Sequence, residues 1–457
     1  MSFRAVPAHE AEAARLPAVA AGAVASRAAL LSGSIGGGHD ALAAACSAVL
    51  EQAGAATHTF DVIGGLGERA GPARAADWVF RQLLASSPAY DAFHFSQLRE
   101  GTRMVAAAER AGVGRATPVI GRQLREAFGT EPVDLAVSVF ATAAGVAARL
   151  KEAGHVRRSV VFLPDSTAHR MWVHEATDLF LVTSGLGAAS VRRYRPDAPV
   201  EVLPPPLRPE FAHPPSRAAA RAALGLPPGG EVVLLMGGAW GLGPVVELAA
   251  RLADGGRHVI AVAGRNGTLL SRLRAAGATR PRLRPVGFSD GVAELMAAAD
   301  LVVTTAGMTC FEARAVGRGL VLLDVVPGHG RENLAHELEL GAAAVSQPDA
   351  ATVTRAVDAC LASGEFRDPL PIDASGAGAL FLDALASLGA PPRAGGGWPA
   401  GASRAGGPGP GRGAGLDGAA DGRDADGADT DGADAAGVRS GGLARSADRP
   451  PRPARLA

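Results

Sequence analysis

The chain has 457 residues, with 45 basic and 45 acidic side chains, so global electrostatics favour neither nucleic acid nor a strongly anionic partner. A hydrophobic share of 47% supplies a large core, and the length fits two domains plus a tail. Lys151, the single lysine, falls in a polar helix end and excludes a catalytic-lysine scheme, while the wide spacing of Cys46, Cys310 and Cys360 fits neither a disulfide framework nor a zinc site.

Reading from the N-terminus, residues 1–26 are expected to be disordered, and arginines and acids interrupt what would be a signal peptide. No apolar run reaches transmembrane length. Ala28–Ser32 reads as a strand, followed by a glycine-rich loop and a helix from about Asp40, the opening of a doubly wound α/β sheet. Gly37 and Gly38 let a ligand approach the backbone, and His39 closes the loop, where an imidazole can serve as a base or a hydrogen-bond partner. His58–Ile63 is the next strand. Trp78, Phe80, Tyr90 and Phe93 then cluster beside arginines in a chain otherwise poor in aromatics, which suits either an interfacial membrane contact or ordinary core.

Asp134–Val139, Ser159–Leu163 and Leu179–Thr183 are further strands. Asp165, His169 and Trp172 follow the second of these runs, and polar groups at the C-terminal end of a parallel strand fall where α/β folds keep their sites. Asp165 and His169 are candidates for acid/base work, against a helix cap and a solvated turn. Prolines from Pro204 to Pro215 mark a domain boundary, giving domains at 27–205 and 206–388.

The second series opens with strand Val232–Met236 and a second glycine loop containing Gly237, Gly238, Gly241 and Gly243, suited to phosphate. Arg265, in a polar turn after strand His258–Ala263, can pair with a phosphate. Strand Leu301–Thr304 leads through Gly307, Met308 and Thr309 into a helix, a turn that leaves backbone N–H groups free for a diphosphate. Glu312, early on that helix, can accept two hydrogen bonds from a ribose diol. Leu320–Val326 is another buried strand, Arg331–Leu340 another helix, and Pro371–Leu388 contains a terminal helix. Residues 389–457 collapse into Gly, Ala, Asp, Arg and Pro and are expected to be a disordered low-complexity tail; their Asp/Gly repeats lack calcium-loop spacing, so no metal is expected there.

Taken together, GSIGGGHDA at Gly33–Ala41, PDSTAHRMWVH at Pro164–His174, MGGAWGLGP at Met236–Pro244, AGRN at Ala263–Asn266, VGFSDGVAELMAAAD at Val286–Asp300, TTAGMTCFE and PGHGREN resemble the monogalactosyldiacylglycerol synthases and processive diacylglycerol glucosyltransferases. Resemblance runs from about Ala28 to Leu388. It implies a GT-B fold, two Rossmann-like domains with parallel sheets facing a central cleft. It implies inverting transfer of a hexosyl group from a UDP-sugar to diacylglycerol or another lipid acceptor, with no metal or other cofactor. His39 or Asp165 would take the acceptor proton, and Gly37, Gly38, the aromatic segment Trp78–Phe95, His169 and Trp172 would serve the acceptor side. Gly237, Gly238, Gly241, Gly243, Arg265, Gly307, Met308, Thr309, Glu312, His329 and Asn333 would hold the donor. Thr305 stands where the family often has a lysine, and His329 and Gly330 where glutamine and glutamate are usual. The resemblance places the protein in the cytoplasm, peripheral on the inner face of the membrane. The alternatives are a UDP-N-acetylglucosamine 2-epimerase-like enzyme and a non-catalytic UDP-sugar- or lipid-binding relative.

Overall fold

The computed structural model describes residues 25–33, 37–64, 87–238, 241, 243–341, 343–364 and 372–388. Trp78 and Phe80, residues 1–24 and the tail from 389 onward lie outside the described residues.

Two parallel sheets organise the chain. Strands β1 (Arg27–Ser32), β2 (Ala56–Asp61), β3 (Val133–Ser138), β4 (Val156–Leu163), β5 (Leu179–Val182) and β6 (Val200–Val202) form the first, in the order β2-β1-β3-β4-β5-β6. Strands β7 (Val232–Met236), β8 (His258–Val262), β9 (Leu283–Val286), β10 (Leu301–Thr304), β11 (Gly319–Leu323) and β12 (Ala344–Ser346) form the second, in the order β12-β11-β10-β7-β8-β9. The central strands are apolar on both faces and wholly buried, as GLVLL in β11 and AALLS in β1 show, which is the pattern of strands sandwiched between helix layers.

Helices connect consecutive strands. In the first half these are α1 (Gly37–Gln52), α2 (Ser87–Phe93), which runs into a π-helical turn at His94–Leu98, α3 (Arg103–Phe128), α4 (Ala141–Glu152) and α5 (Gly185–Tyr194). After α6 (Arg217–Ala223), the second half has α7 (Val245–Asp254), α8 (Gly267–Gly277), α9 (Val292–Ala298), α10 (Met308–Ala315), α11 (His329–Glu339) and α12 (Ala350–Ser363). The last helix, α13 (Ala374–Ser387), returns to the first half: Phe381 packs on Phe162 of β4 with ring centroids 6.0 Å apart, and Ser387 donates to Glu201 at 3.2 Å.

Each sheet reverses strand direction of growth at one place, between β1 and β3 in the first and between β7 and β10 in the second. At such a point the loops leaving two adjacent strands splay to opposite faces and open a crevice at their C-terminal ends. The two crevices fall at His39 and Phe140 in one half and at Gly237 and Thr305–Gly307 in the other.

One apolar cluster joins the halves, running from Leu42 and Cys46 of α1 through Met308 and Cys310 of α10 to Leu322 and Phe381. Cys46 and Cys310 are fully buried members of it, and burial pushes both thiols up, Cys310 to about 12. Among the described residues no helix is long and apolar enough to cross a membrane.

Candidate active site

The first crevice is built from side chains. His39 sits in the first turn of α1, and its Nδ1 donates to the Val139 carbonyl at 2.6 Å. A carbonyl can only accept, so Nδ1 carries a hydrogen, and in the neutral ring the lone pair is on Nε2. The ring is held edge-on by Phe140, with centroids 5.2 Å apart, and flanked by Trp172 at 6.3 Å. Gly33 is needed for this arrangement, because a Cβ there would lie 2.5 Å from the Phe140 ring.

Asp165 projects from the end of β4. It does not hydrogen-bond His39, whose ring is oriented by the Val139 carbonyl. Burial would raise the Asp165 carboxyl, but His329, His39, a hydrogen bond from Asn333 and His169 together outweigh it and hold the group below the usual carboxylate range. His169, on the same loop, is driven down to about 3 by burial and by His94 beside it, so it is neutral at physiological pH, and its buried Nδ1 has no hydrogen-bond partner among the described residues. His329 is likewise lowered by burial, with Asp165 opposing.

The second crevice is built mainly from backbone. Gly238, Gly241 and Gly243 all take positive φ, of 68°, 65° and 89°. At Gly241 a side chain is also sterically excluded, since its Cβ would fall on Leu269. All three glycines stand ahead of the start of α7, in left-handed backbone that glycine adopts without strain. Gly307 precedes α10, whose first turn holds Met308 and Thr309 and whose end pairs Arg314 with Glu337. Arg265 is exposed and stacks over Phe288 at 4.6 Å, and the Phe288 ring is itself 58% exposed. Asn266, next to it, caps α8 by accepting the Leu269 N–H at 2.9 Å. Glu312 is buried at 6% exposure and accepts from Arg208 at 3.2 Å; burial raises its carboxyl, with Arg208 opposing. Arg208, in the proline-rich join, was not singled out by the sequence reading.

The two crevices meet. A Cβ built on Gly38 would stand 3.5 Å from the Met308 side chain, so the starts of α1 and α10 face each other across the halves. Below them the N-terminus of α11 inserts into the first half. Glu332 accepts from His94 at 2.9 Å, Arg99 at 2.8 Å and Thr167 at 2.7 Å, and Asn333 contacts both Asp165 and Ser166. His94, Arg99, Thr167 and Glu332 were not anticipated.

Tyr90 and Trp172, both expected on the acceptor side, are buried. Tyr90 is 3% exposed, with its hydroxyl 3.5 Å from His329 Nδ1, and Trp172 is 2% exposed against His39. Phe93 is half-buried, while Phe95 and Met104 reach the surface with 38% and 60% exposure. Of the two readings of the aromatic cluster, Tyr90 therefore follows the core one, at the junction of the halves, while Phe95 stays exposed.

No protein-family model matches the chain. It is 32% identical over 188 residues to the processive diacylglycerol beta-glucosyltransferase of Bacillus pumilus, covering 40% of this chain and 49% of that protein. The Bacillus subtilis protein of the same name is 30% identical over 200 residues, covering 43% and 52%. A probable monogalactosyldiacylglycerol synthase of Glycine max is 26% identical over 238 residues, covering 49% and 45%. The chain thus spans about half the length of the curated relatives it matches. Among solved structures, Os79 from O. sativa in complex with U2F and trichothecene superposes with a TM-score of 0.52 at 14% identity, over 79% of this chain and 99% of that one, a likeness of fold. In sequence the chain resembles the processive diacylglycerol glucosyltransferases and monogalactosyldiacylglycerol synthases, and it carries the α/β GT-B architecture of two Rossmann-like halves.

Proposed function

We propose that this chain moves a hexosyl group from a UDP-sugar to the hydroxyl of a diacylglycerol-type lipid, with inversion and without a bound metal. The observation that carries the reading is the convergence of the α1 and α10 starts at Gly38 and Met308, with the lone pair of His39 Nε2 beside them. Helix N-termini present unpaired N–H groups and the positive end of the helix dipole, so a diphosphate finds its countercharge there. The names of the curated relatives supply the acceptor, diacylglycerol.

In this mechanism His39 Nε2 takes the acceptor proton as the acceptor oxygen attacks the anomeric carbon. The bond from that carbon to the diphosphate breaks on the opposite side, and UDP leaves with the electron pair. The start of α10, the glycines at 237–243 and Arg265 stabilise the charge that develops on the leaving group. The exposed Phe288 ring offers a flat face to the nucleotide base, and Glu312 accepts from the ribose. Asp165, held ionised, favours the imidazolium that forms on His39.

The membrane contact of this reading falls on α3. Arg103, Met104, Arg110, Arg115, Arg122 and Arg125 are exposed, opposite the buried Val105, Val113, Ala116, Ile120 and Leu124. Glu126 is the acid on that outer face, and it lies 3.7 Å from Arg122. Such an excess of arginine in a chain of balanced charge suits anionic headgroups.

The test is incubation with UDP-glucose, UDP-galactose and UDP-N-acetylglucosamine in the presence of diacylglycerol vesicles, with mass spectrometry of the lipid. A lipid heavier by one hexose residue is expected. Epimerised donor with unchanged lipid would favour the epimerase alternative, and UDP binding with neither product the non-catalytic one.

A further inference from the structure

Apart from the Ser387–Glu201 contact, the polar contacts between the halves among the described residues concentrate in one short segment, Gly328 to Asn333. The Gly328 N–H donates to Asp91 at 2.6 Å, and Arg331 pairs with the same carboxylate. Gly328 has φ of 63°, and a Cβ there would lie 2.5 Å from the Tyr90 ring and 2.9 Å from His94, so the close approach depends on glycine. Glu332 then takes its three donors from the π-helical turn after α2, from the residue that ends that turn, and from the β4 loop: His94, Arg99 and Thr167. Burial would raise its carboxyl, but the hydrogen bonds from His94 and Thr167, with Arg99, lower it, so the clasp is charged.

Asn333 is 7% exposed. Its Oδ1 accepts the Ser166 N–H at 2.8 Å and its Nδ2 donates to Asp165 Oδ1 at 3.0 Å. The amide has one possible orientation here, since the backbone N–H only donates and the carboxylate only accepts. A residue of the second half therefore grips two consecutive residues of the first.

We propose that Asn333 is a positioning residue for Asp165, and that Glu332 is the clasp that brings it into place, so that the acid/base pair is complete only when the halves are shut. The proposal rests on the reading that Asp165 assists proton transfer at His39. The groups facing Asp165 are His39 from α1, His169 from its own loop, His329 from α11 and Tyr90 from α2, with Glu332 one residue away. Among these, the His39 and His169 imidazoles belong to the first half whether or not α11 is inserted, whereas the His329 imidazole and the Asn333 amide both arrive with α11, and of the two only the amide donates a hydrogen bond to Asp165. Losing that donor makes the charged carboxylate less favourable and moves its titration to higher pH.

The experiment compares wild type with Asn333→Leu, close in volume but without the amide, and with Glu332→Gln. For Asn333→Leu the acid limb of the pH profile of kcat/KM moves to higher pH and kcat falls, with a smaller change in KM for the UDP-sugar; Asn333→Gln restores part of both. For Glu332→Gln, small-angle scattering shows a larger radius of gyration and the acid limb moves in the same direction, because opening the halves withdraws the Asn333 amide from Asp165; a larger radius with an unmoved limb overturns the proposal. A lowered kcat in Asn333→Leu with an unmoved acid limb would mean a merely structural role and overturns the proposal. Independently of turnover, the Asp165 carboxyl carbon is titrated by NMR in wild type and in Asn333→Leu, or in Asn333→Ala should the leucine variant not fold. An upward shift in the variant supports the proposal even in a protein that transfers no sugar, and an unshifted carboxyl overturns it even in one that does.

Discussion

The two halves share an architecture and divide the chemistry. Both are six-stranded parallel sheets with a crevice at the point of reversal, but the first is ordered 2-1-3-4-5-6 and the second, counted from β7, 3-2-1-4-5-6. In the first crevice the working groups are side chains: His39, Asp165, His169. In the second they are peptide groups on left-handed glycines and a helix start, with arginine at the rim. The contrast follows from what each half is asked to do in the proposed reaction. Removing a proton requires a titratable atom at one point, whereas holding a diphosphate requires many weak donors spread over several oxygens. A side-chain site fails all at once when one residue is removed; a backbone site does not.

That contrast sets the largest expected effect. His39→Ala should cut turnover by roughly 10²–10⁴, the range for loss of a general base, with UDP affinity nearly unchanged. Steady-state kinetics paired with UDP calorimetry separates the two quantities. If the loss appears instead as a higher lipid KM, His39 orients the acceptor, and Asp165 becomes the base. A turnover near wild type would take His39 out of the mechanism.

The second half should respond less to any one change. Glu312→Ala is expected to weaken UDP binding by roughly 1–3 kcal/mol, the range for losing charged hydrogen bonds. The structure adds a condition to that figure. Glu312 already takes Arg208 at 3.2 Å, and removing the carboxylate leaves that guanidinium, 22% exposed, without one of its two acids. Glu312→Gln keeps an acceptor at the site and separates the two effects. If both variants bind UDP as wild type does in calorimetry, Glu312 serves to hold Arg208 and not the ribose.

Much of this frame was legible in the sequence. Continuous apolar runs such as Val232–Met236 and Leu301–Thr304 could only be strands buried on both faces, and both were observed with those bounds. Glycine loops directly after strands located both crevices, because φ above zero and close approach are properties that glycine alone confers cheaply. Three short edge strands, β6, β9 and β12, escaped notice, since runs of three or four residues with mixed polarity carry little periodicity. The clasp escaped for a different reason. His94 and Glu332 are 238 residues apart, and no local pattern encodes which distant polar groups will pair. The available signal was density: PGHGREN packs His329, Arg331, Glu332 and Asn333 into the start of one helix, more polar side chains than a cap requires. Tyr90 was left between membrane contact and core, because a cluster in sequence does not say which face of the fold it meets; the structure buries it.

The smallest expected effect concerns the outer surface of the first half, where neither crevice is involved. α3 passed without remark in the sequence because its inner face is Val105, Val113, Ala116, Ile120 and Leu124, a stripe diluted by alanine and glycine. Its outer arginines make no contribution to that packing, so replacing them tests the surface and leaves the fold alone. Arg110→Gln, Arg115→Gln and Arg122→Gln are each expected to weaken binding to vesicles containing phosphatidylglycerol by about 5-fold, the equivalent of about 1 kcal/mol per arginine near an anionic surface. The losses should combine nearly additively in the triple variant and shrink as salt is raised, because headgroup charges act within a Debye length of about 10 Å at 0.1 M salt. Met104→Ser should add a salt-independent loss, since that side chain is 60% exposed and enters through apolar area. Co-sedimentation at low and high salt reads both terms. Equal sedimentation of the triple variant and wild type at low salt would detach α3 from the membrane and leave the contact to Phe95 and its neighbours. Loss of transfer to vesicle-borne diacylglycerol, with transfer to a detergent-dispersed short-chain acceptor retained, would show that α3 delivers the first crevice to its lipid and takes no part in the chemistry.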